Sequence, residues 1–325
     1  MNNSSDFESC QPRPQPMSIP VLMCLVSFIG FILNVFSLWV FCCRLPSWSA
    51  GTVLQFNLAL SDILATPVTP LMAVYFAMGN DWSFGKVLCT VMVAFLSAQF
   101  YGSTIFLTLI SFHRYKVVAH FNKSSRMKDK SFIKKLCAGV WLFLLAHLLV
   151  YGFATPSTKV GKITQCYSFS QRSQKNSFFI ISCVLVSVGF LLPLSISATC
   201  YICVKNALAR LNNITPKSLK VKFKSQRMIQ MCLIIFGICF LPMNVIRTTA
   251  VVVLKFYRVQ CHVSDHLQTA YYASWVIAGL NCCLDPLLYC FGSQTFRDAV
   301  PSFRVKTAEP QPSDTEMTPN HILTT

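Results

Sequence analysis

The sequence predicts an all-α membrane protein, a seven-transmembrane helix bundle with a short C-terminal amphipathic helix. Three observations predict it. Apolar stretches of about 20 residues or more, each long enough to cross ~30 Å of hydrocarbon as a helix, begin near Ser18, Thr52, Lys86, Lys135, Ser177, Met228 and Asp265. The composition, 54% hydrophobic with only 12% charged residues, suits a chain whose solvent is mostly lipid. The segments left between the stretches are too short to bury cores of their own. The division is therefore an outer tail over 1–17, a bundle over 18–291, a membrane-surface helix over 292–300 and a disordered inner tail over 301–325.

Residues 1–17 are polar and proline-rich and lack a basic start followed by an apolar core, so the first span is expected to act as its own insertion signal. Asn2 and Asn3 each open an N-x-S glycosylation sequon ahead of it. Basic residues then set the orientation. Most of the 28 Lys and Arg gather on one side, between Arg114 and Lys135, between Lys205 and Arg227, and at Arg297, Arg304 and Lys306. Basic loops stay in the cytoplasm, which predicts a multi-pass plasma-membrane protein with its N-terminus outside. The net charge of +17 does not point to nucleic acid, because these cations sit in short loops without interleaved aromatic residues. They face anionic membrane lipid and cytosolic partners instead.

Of the 16 cysteines most lie in apolar spans, where a thiol is a small hydrophobe. Cys89 at the outer start of the third span, Cys166 in the second outer loop, Cys10 in the tail and Cys261 in the third outer loop face the oxidising side. The expected pairs are Cys89 with Cys166 and Cys10 with Cys261, both as structural staples.

Polar side chains inside lipid are costly, so those within the spans carry a functional expectation. Asp62 in the second span and Asp285 in the seventh are mid-membrane carboxylates, with Asn34, Ser103 and Asn281 as polar neighbours. Two readings stand: a pocket of oxygens at Asp62, Ser103, Asn281 and Asp285 for Na⁺ or shared protons, or hydrogen-bonded glue between helices. No other cofactor is expected. Pro286 adds a helix break that suits a hinge.

At this point the chain resembles the rhodopsin-like G-protein-coupled receptors, over roughly residues 18 to 300 and with one motif per helix in order. The residues are Asn34; Leu58 to Asp62; Trp82 to Gly85 before Cys89; His113-Arg114-Tyr115; Trp141; Pro193 with Tyr201; Phe236 to Pro242; and Asp285-Pro286-Leu287-Leu288-Tyr289 followed by Phe296. The resemblance implies that Arg114 engages a heterotrimeric G protein when the sixth helix swings out. His113 stands where the family carries an acid, which predicts a weaker or pH-sensitive resting lock. Tyr201 and Tyr289 are expected to turn inward in the active state, and Phe236 and Phe240 to lie beneath Pro242, Phe240 standing in for the family's usual Trp. Ordinary core packing is the plainer account of these aromatics. The 292–300 helix ends at Pro301 with no cysteine after it for palmitoylation. The tail, with Ser313, Thr315, Thr318, Thr324 and Thr325, is expected to serve receptor kinases and arrestin.

The ligand class follows from what the spans hold. The outer half of the third span has no aspartate for a protonated amine, and the seventh has no lysine for a retinal Schiff base. Arg247 is the cation within the outer membrane layer; Asn244, Phe100, Tyr101, Tyr271, Tyr272, Trp275 and Tyr151 are expected to share its cavity. A desolvated arginine among aromatic walls suits a phosphate or carboxylate on an organic body, and an arginine that merely anchors its helix is the plainer alternative. The run Cys239-Phe240-Leu241-Pro242 with Arg247 most resembles the purinergic nucleotide receptors and their lysophospholipid and leukotriene relatives, although Asn244, Val93 and Trp275 stand where nucleotide members carry His and further cations. The expected ligand is a small anion, a nucleotide or an acidic lipid. A transporter or an intramembrane enzyme shares the helical class, but the chain shows no internal repeat, and His147 has no acidic partner nearby in sequence. An enzyme is not expected.

Overall fold

The computed structural model describes residues 14–64, 66–119, 125–154, 158–160, 163–166, 176–209, 216–257, 260–292 and 294–300. Seven helices in it are long and apolar enough to cross a membrane, in the predicted order. They are α1 (Ser18–Arg44), α2 (Ala50–Ala77), α3 (Gly85–Ala119), α4 (Lys130–Ala154), α5 (176–209), α6 (216–256) and α7 (261–292). The short helix α8 (Gln294–Ala299) follows, as the amphipathic segment predicts.

Helix starts follow local chemistry. Ser49 Oγ accepts the Thr52 amide at the head of α2, and the Asp129 carboxylate accepts the amides of Ser131 and Phe132 at the head of α4. Proline shapes the interiors. A proline cannot donate to the carbonyl four residues back, and a wide turn precedes Pro193 in α5 (Ser187–Leu191) and Pro242 in α6 (Phe236–Phe240). Around Pro67, α2 breaks between Leu64 and Thr69, and α7 breaks at Leu280, ahead of Pro286.

One boundary departs from expectation. The sixth helix begins at Pro216, not near Met228, because Lys220, Lys222, Lys224 and Arg227 extend it beyond the apolar stretch. Lys222 Nζ reaches back to the Ala207 carbonyl on α5 at 3.2 Å. Apolarity marks the part of a helix that meets lipid and says nothing about how far it continues into water.

The bundle is arranged around α3. Within its apolar window 67% of residues are buried in the protein, against 22% for α1 and α4 and 17% for α5, whose large apolar side chains turn outward to lipid. In lipid, apolar burial does not by itself draw helices together, so close contact and interhelical hydrogen bonds do. Gly102 on α3 lies against Ser61 on α2 so closely that a Cβ there would collide with the hydroxyl. Trp141 Nε1 on α4 donates to Asn57 Oδ1 on α2 at 2.8 Å.

At one end a small hairpin pairs β1 (Thr158–Val160) with β2 (Ile163–Gln165) in antiparallel register, Thr158 opposite Gln165 and Val160 opposite Ile163. It is fastened to the mouth of the bundle at three points. Trp82 N donates to Thr164 O at 2.7 Å, Thr164 N donates to Asp81 Oδ1 at 3.0 Å, and Cys166 is joined to Cys89 by a disulfide. Cys261 is also disulfide-bonded; Cys10 and the sequons at Asn2 and Asn3 lie outside the described residues, as does the tail over 301–325.

Candidate functional site

A cavity with about 1010 Å³ of empty space, its open mouth included, descends between α1, α2, α3, α6 and α7. Arg247, Phe100, Tyr101, Tyr271 and Trp275, all expected there, line it together. Arg247 is buried, one of the few charged side chains that the bundle encloses. The Tyr271 and Trp275 rings meet edge to face at 5.5 Å, one helical turn apart. Met23, Val26, Val93, Leu96, Met243 and Val276 supply apolar wall.

Two expected residues are placed elsewhere. Asn244 is buried on α6 with its amide donating to its own Phe240 carbonyl at 2.8 Å, and it does not line the cavity. Tyr272 packs against Phe76 at 4.5 Å and accepts a hydrogen bond from Gln268, in the apolar cluster beside the cavity. Tyr151 belongs to α4, its side chain falling outside the described set. Reasoning from the sequence missed Ser97 and Gln99 as lining residues. Ser97 Oγ is 2.8 Å from His147 Nε2, and the same imidazole packs edge-on to Tyr101, so His147 holds two cavity residues from behind.

The cavity floor is polar. Asp62 and Asn281 both line it, so the ligand-sized space and the carboxylate layer are continuous. Ser103 Oγ donates to Asp62 Oδ1 at 2.8 Å. Asn281 Nδ2 lies 3.2 Å from Asp62 Oδ1 and 3.4 Å from Asp285 Oδ2, a single amide between two carboxylates. Gln99 Nε2 donates to Asn281 Oδ1 at 3.3 Å and so orients that amide. Among the described residues, Asp62 Oδ2 and Asp285 Oδ1 accept no hydrogen bond although both are buried. Buried carboxylate oxygens left in this condition call for a cation or a proton.

Below the floor an aromatic column leads away from the cavity. Phe100, which lines the cavity, meets Phe240 at 5.0 Å; Phe240 meets Phe236 at 5.7 Å, and Phe236 faces Phe190 at 6.4 Å. The column therefore contacts the wide turns of both α5 and α6, directly before Pro193 and Pro242.

At the far end His113 is buried against α2: a Cβ on Gly51 would lie 3.2 Å from its ring and 3.7 Å from the Arg114 guanidinium. Tyr115 packs beside Phe112 and under the Lys116 ammonium, and Tyr201 joins the apolar cluster of Val118, Val204 and Ile229. Tyr289 is fully buried between Phe41 and Phe296, at 5.3 and 5.9 Å, so α8 is anchored through Phe296 to the end of the bundle opposite the hairpin. Its hydroxyl has no hydrogen-bond partner among the described residues.

Comparison with known proteins identifies the family of the chain. The family described as 7 transmembrane receptor (rhodopsin family) matches residues 33–289. Purinoceptor 2 of Rattus norvegicus is 34% identical over 300 residues, 91% of this chain and 78% of the relative. Purinoceptor 4 of the same species is 30% identical over 280 residues, covering 86% and 77% of the two chains. Purinoceptor 1 of Mus musculus is 30% identical over 283 residues, covering 86% and 75%. The chain belongs to the rhodopsin family of G-protein-coupled receptors and to its purinergic group, a family of signalling receptors and not of enzymes or transporters.

Proposed function

We propose that this receptor is switched on by a small organic anion whose acidic group pairs with Arg247, and that a purine nucleotide is that anion. The observation that carries the reading is a buried arginine in an aromatic-walled cavity. A guanidinium held out of water binds phosphate through two parallel hydrogen bonds, and Tyr271, Trp275 and Phe100 offer faces and edges to a base. The relatives named for purines support the choice. The apolar wall of Met23, Val26, Leu96 and Val276 favours a second reading, a lipid with one acidic head group. A panel of nucleotides and lysolipids, scored by G-protein activation in cells expressing the receptor, separates the two. Response to neither class rejects both.

Several features of the same reading go together. The N-terminus lies outside the cell: the disulfide-bonded cysteines sit at one end of the bundle and the basic helix extensions at the other. The residues of the floor fit a Na⁺ ion, with Asp62, Asp285 and Ser103 supplying hard oxygens, Asn281 bracing the two carboxylates through its Nδ2, and two carboxylate atoms left without donors. With Na⁺ there, Asp62 and Asp285 would have one of their two charges offset by the ion and the other by a shared proton, which would favour the resting packing of α2 against α7. Binding above pushes on Phe100, and the column through Phe240 and Phe236 passes the displacement to the wide turn under Pro242. Outward movement of α6 then frees Arg114 for the G protein. Receptor kinases and arrestin act on the tail at Ser313, Thr315, Thr318, Thr324 and Thr325.

A further inference from the structure

The first two turns of α7 carry a pair of histidines that neither the cavity nor its floor uses. His262 and His266 are both exposed and stand four residues apart, on one face of the helix. They lie at the end of the bundle that holds the disulfide-bonded Cys89, Cys166 and Cys261. Their Nε2 atoms are 2.9 Å apart, and their rings are nearly perpendicular, 81° between planes with centroids 4.2 Å apart.

A hydrogen bond between two ring nitrogens needs one donor and one acceptor, so at least one of these imidazoles is neutral and turns a lone pair toward the other. A divalent transition metal uses the same convergence. Two imidazole nitrogens bound to one tetrahedral zinc at ~2.0–2.1 Å stand about 3.4 Å apart. The observed separation of 2.9 Å reaches that value by a small rotation of two exposed side chains, with no backbone movement. When both rings are neutral no proton is lost: the donating ring moves its hydrogen from Nε2 to Nδ1 and offers the freed lone pair to the metal. If one ring is an imidazolium, its proton leaves to solvent.

We propose that His262 and His266 form a binding site for Zn²⁺ at the disulfide-bearing end of the receptor. Imidazole pairs select zinc, copper and nickel over the harder Ca²⁺ and Mg²⁺. Water completes the coordination shell, since no group of three or more His, Cys, Asp or Glu able to hold a metal occurs among the described residues. The bound ion joins successive turns of α7 between the disulfide at Cys261 and the cavity residues Tyr271 and Trp275 further along the same helix. It is thus placed to stiffen one wall of the cavity from its rim, whatever ligand the cavity takes.

The test uses the full-length receptor in lipid nanodiscs, purified with a tag that contains no histidine and titrated with ZnCl₂ against a chromophoric zinc indicator. The parent is expected to take up a saturable first equivalent that excess Mg²⁺ or Ca²⁺ does not displace. Because disturbing even the outer partners of a metal ligand costs about 10–100-fold in affinity, His262→Ala and His266→Ala should each weaken that equivalent more than about tenfold. Thermal melts without zinc report whether the variants are folded, and zinc should raise the melt of the parent alone. Absence of a saturable equivalent in the parent overturns the site, as does binding as tight as the parent's in both variants. Loss in only one variant means a single-histidine contact and overturns the paired site as well.

Discussion

The side-chain amide of Asn34 on α1 donates to the main-chain carbonyl of Cys282 on α7 at 2.7 Å. That carbonyl lies four residues before Pro286, which has no N–H to give it. A second donation to Gly30 O at 2.9 Å fixes the amide on its own helix. The first span thus repairs the hydrogen bond that the seventh loses to its proline, and α7 at Pro286 is tied to its neighbour α1. Replacing Asn34 by Leu strands a buried carbonyl, which costs about 1–3 kcal/mol. The variant should melt several degrees below the parent in detergent. An unchanged melt would show that α7 carries its open carbonyl without help.

Arg247→Ala should lower agonist potency by roughly 30-fold to several thousandfold, the equivalent of about 2–5 kcal/mol for a desolvated charge-assisted contact. Arg247→Lys should recover part of the loss, since it keeps the charge but not the planar fork. Uncharged analogues of the agonist should be weak on the parent and lose little more on the variant. If the alanine variant responds to an acidic agonist with parental potency, Arg247 only anchors its helix.

If the floor holds Na⁺ as proposed, agonist affinity should depend on it. Two carboxylates share one amide and keep two unbonded oxygens, and on the proposed reading a cation offsets their repulsion in the resting state. Raising Na⁺ against a constant ionic strength should weaken agonist binding to the parent, and Asp62→Asn should remove the dependence. Binding indifferent to Na⁺ in the parent leaves hydrogen-bonded glue as the role of this layer.

Phe240→Ala cuts the aromatic column between Phe100 and Phe236. Agonist binding should persist, because Phe240 does not line the cavity, while maximal G-protein activation falls sharply at matched surface expression. Arg114→Ala should give the same separation from the opposite end. Full activation in either variant would mean that the signal does not travel by this route.

Gly102→Val should disrupt the bundle at its centre, because even the first carbon of a side chain collides with Ser61 on α2. Surface expression and thermal stability should both drop, and pairing it with Ser61→Gly should restore part of each. Absence of any rescue by the smaller partner would argue that the two helices are separated by something other than this contact.

Hydropathy by itself determined the seven spans and their order, because a helix that must satisfy its own hydrogen bonds in lipid leaves a long apolar run in the chain. The same solvent exposed the polar candidates: Asp62, Asp285, Asn34 and Arg247 stand out because lipid tolerates so few of their kind. What the pattern does not carry is rotation. Tyr271 and Tyr272 are neighbours about 100° apart around one helix, and only packing decided that the first faces the cavity and the second faces Phe76. Asn244 turned to its own backbone for the same reason, and nothing in residue order showed that the cavity would open onto Asp62 or that Asn34 would find Cys282. A span that is apolar on every side has no periodicity to announce its inner face. That face is chosen where small residues let helices approach and where a freed carbonyl meets a donor from another helix, contacts that exist only once the bundle has closed.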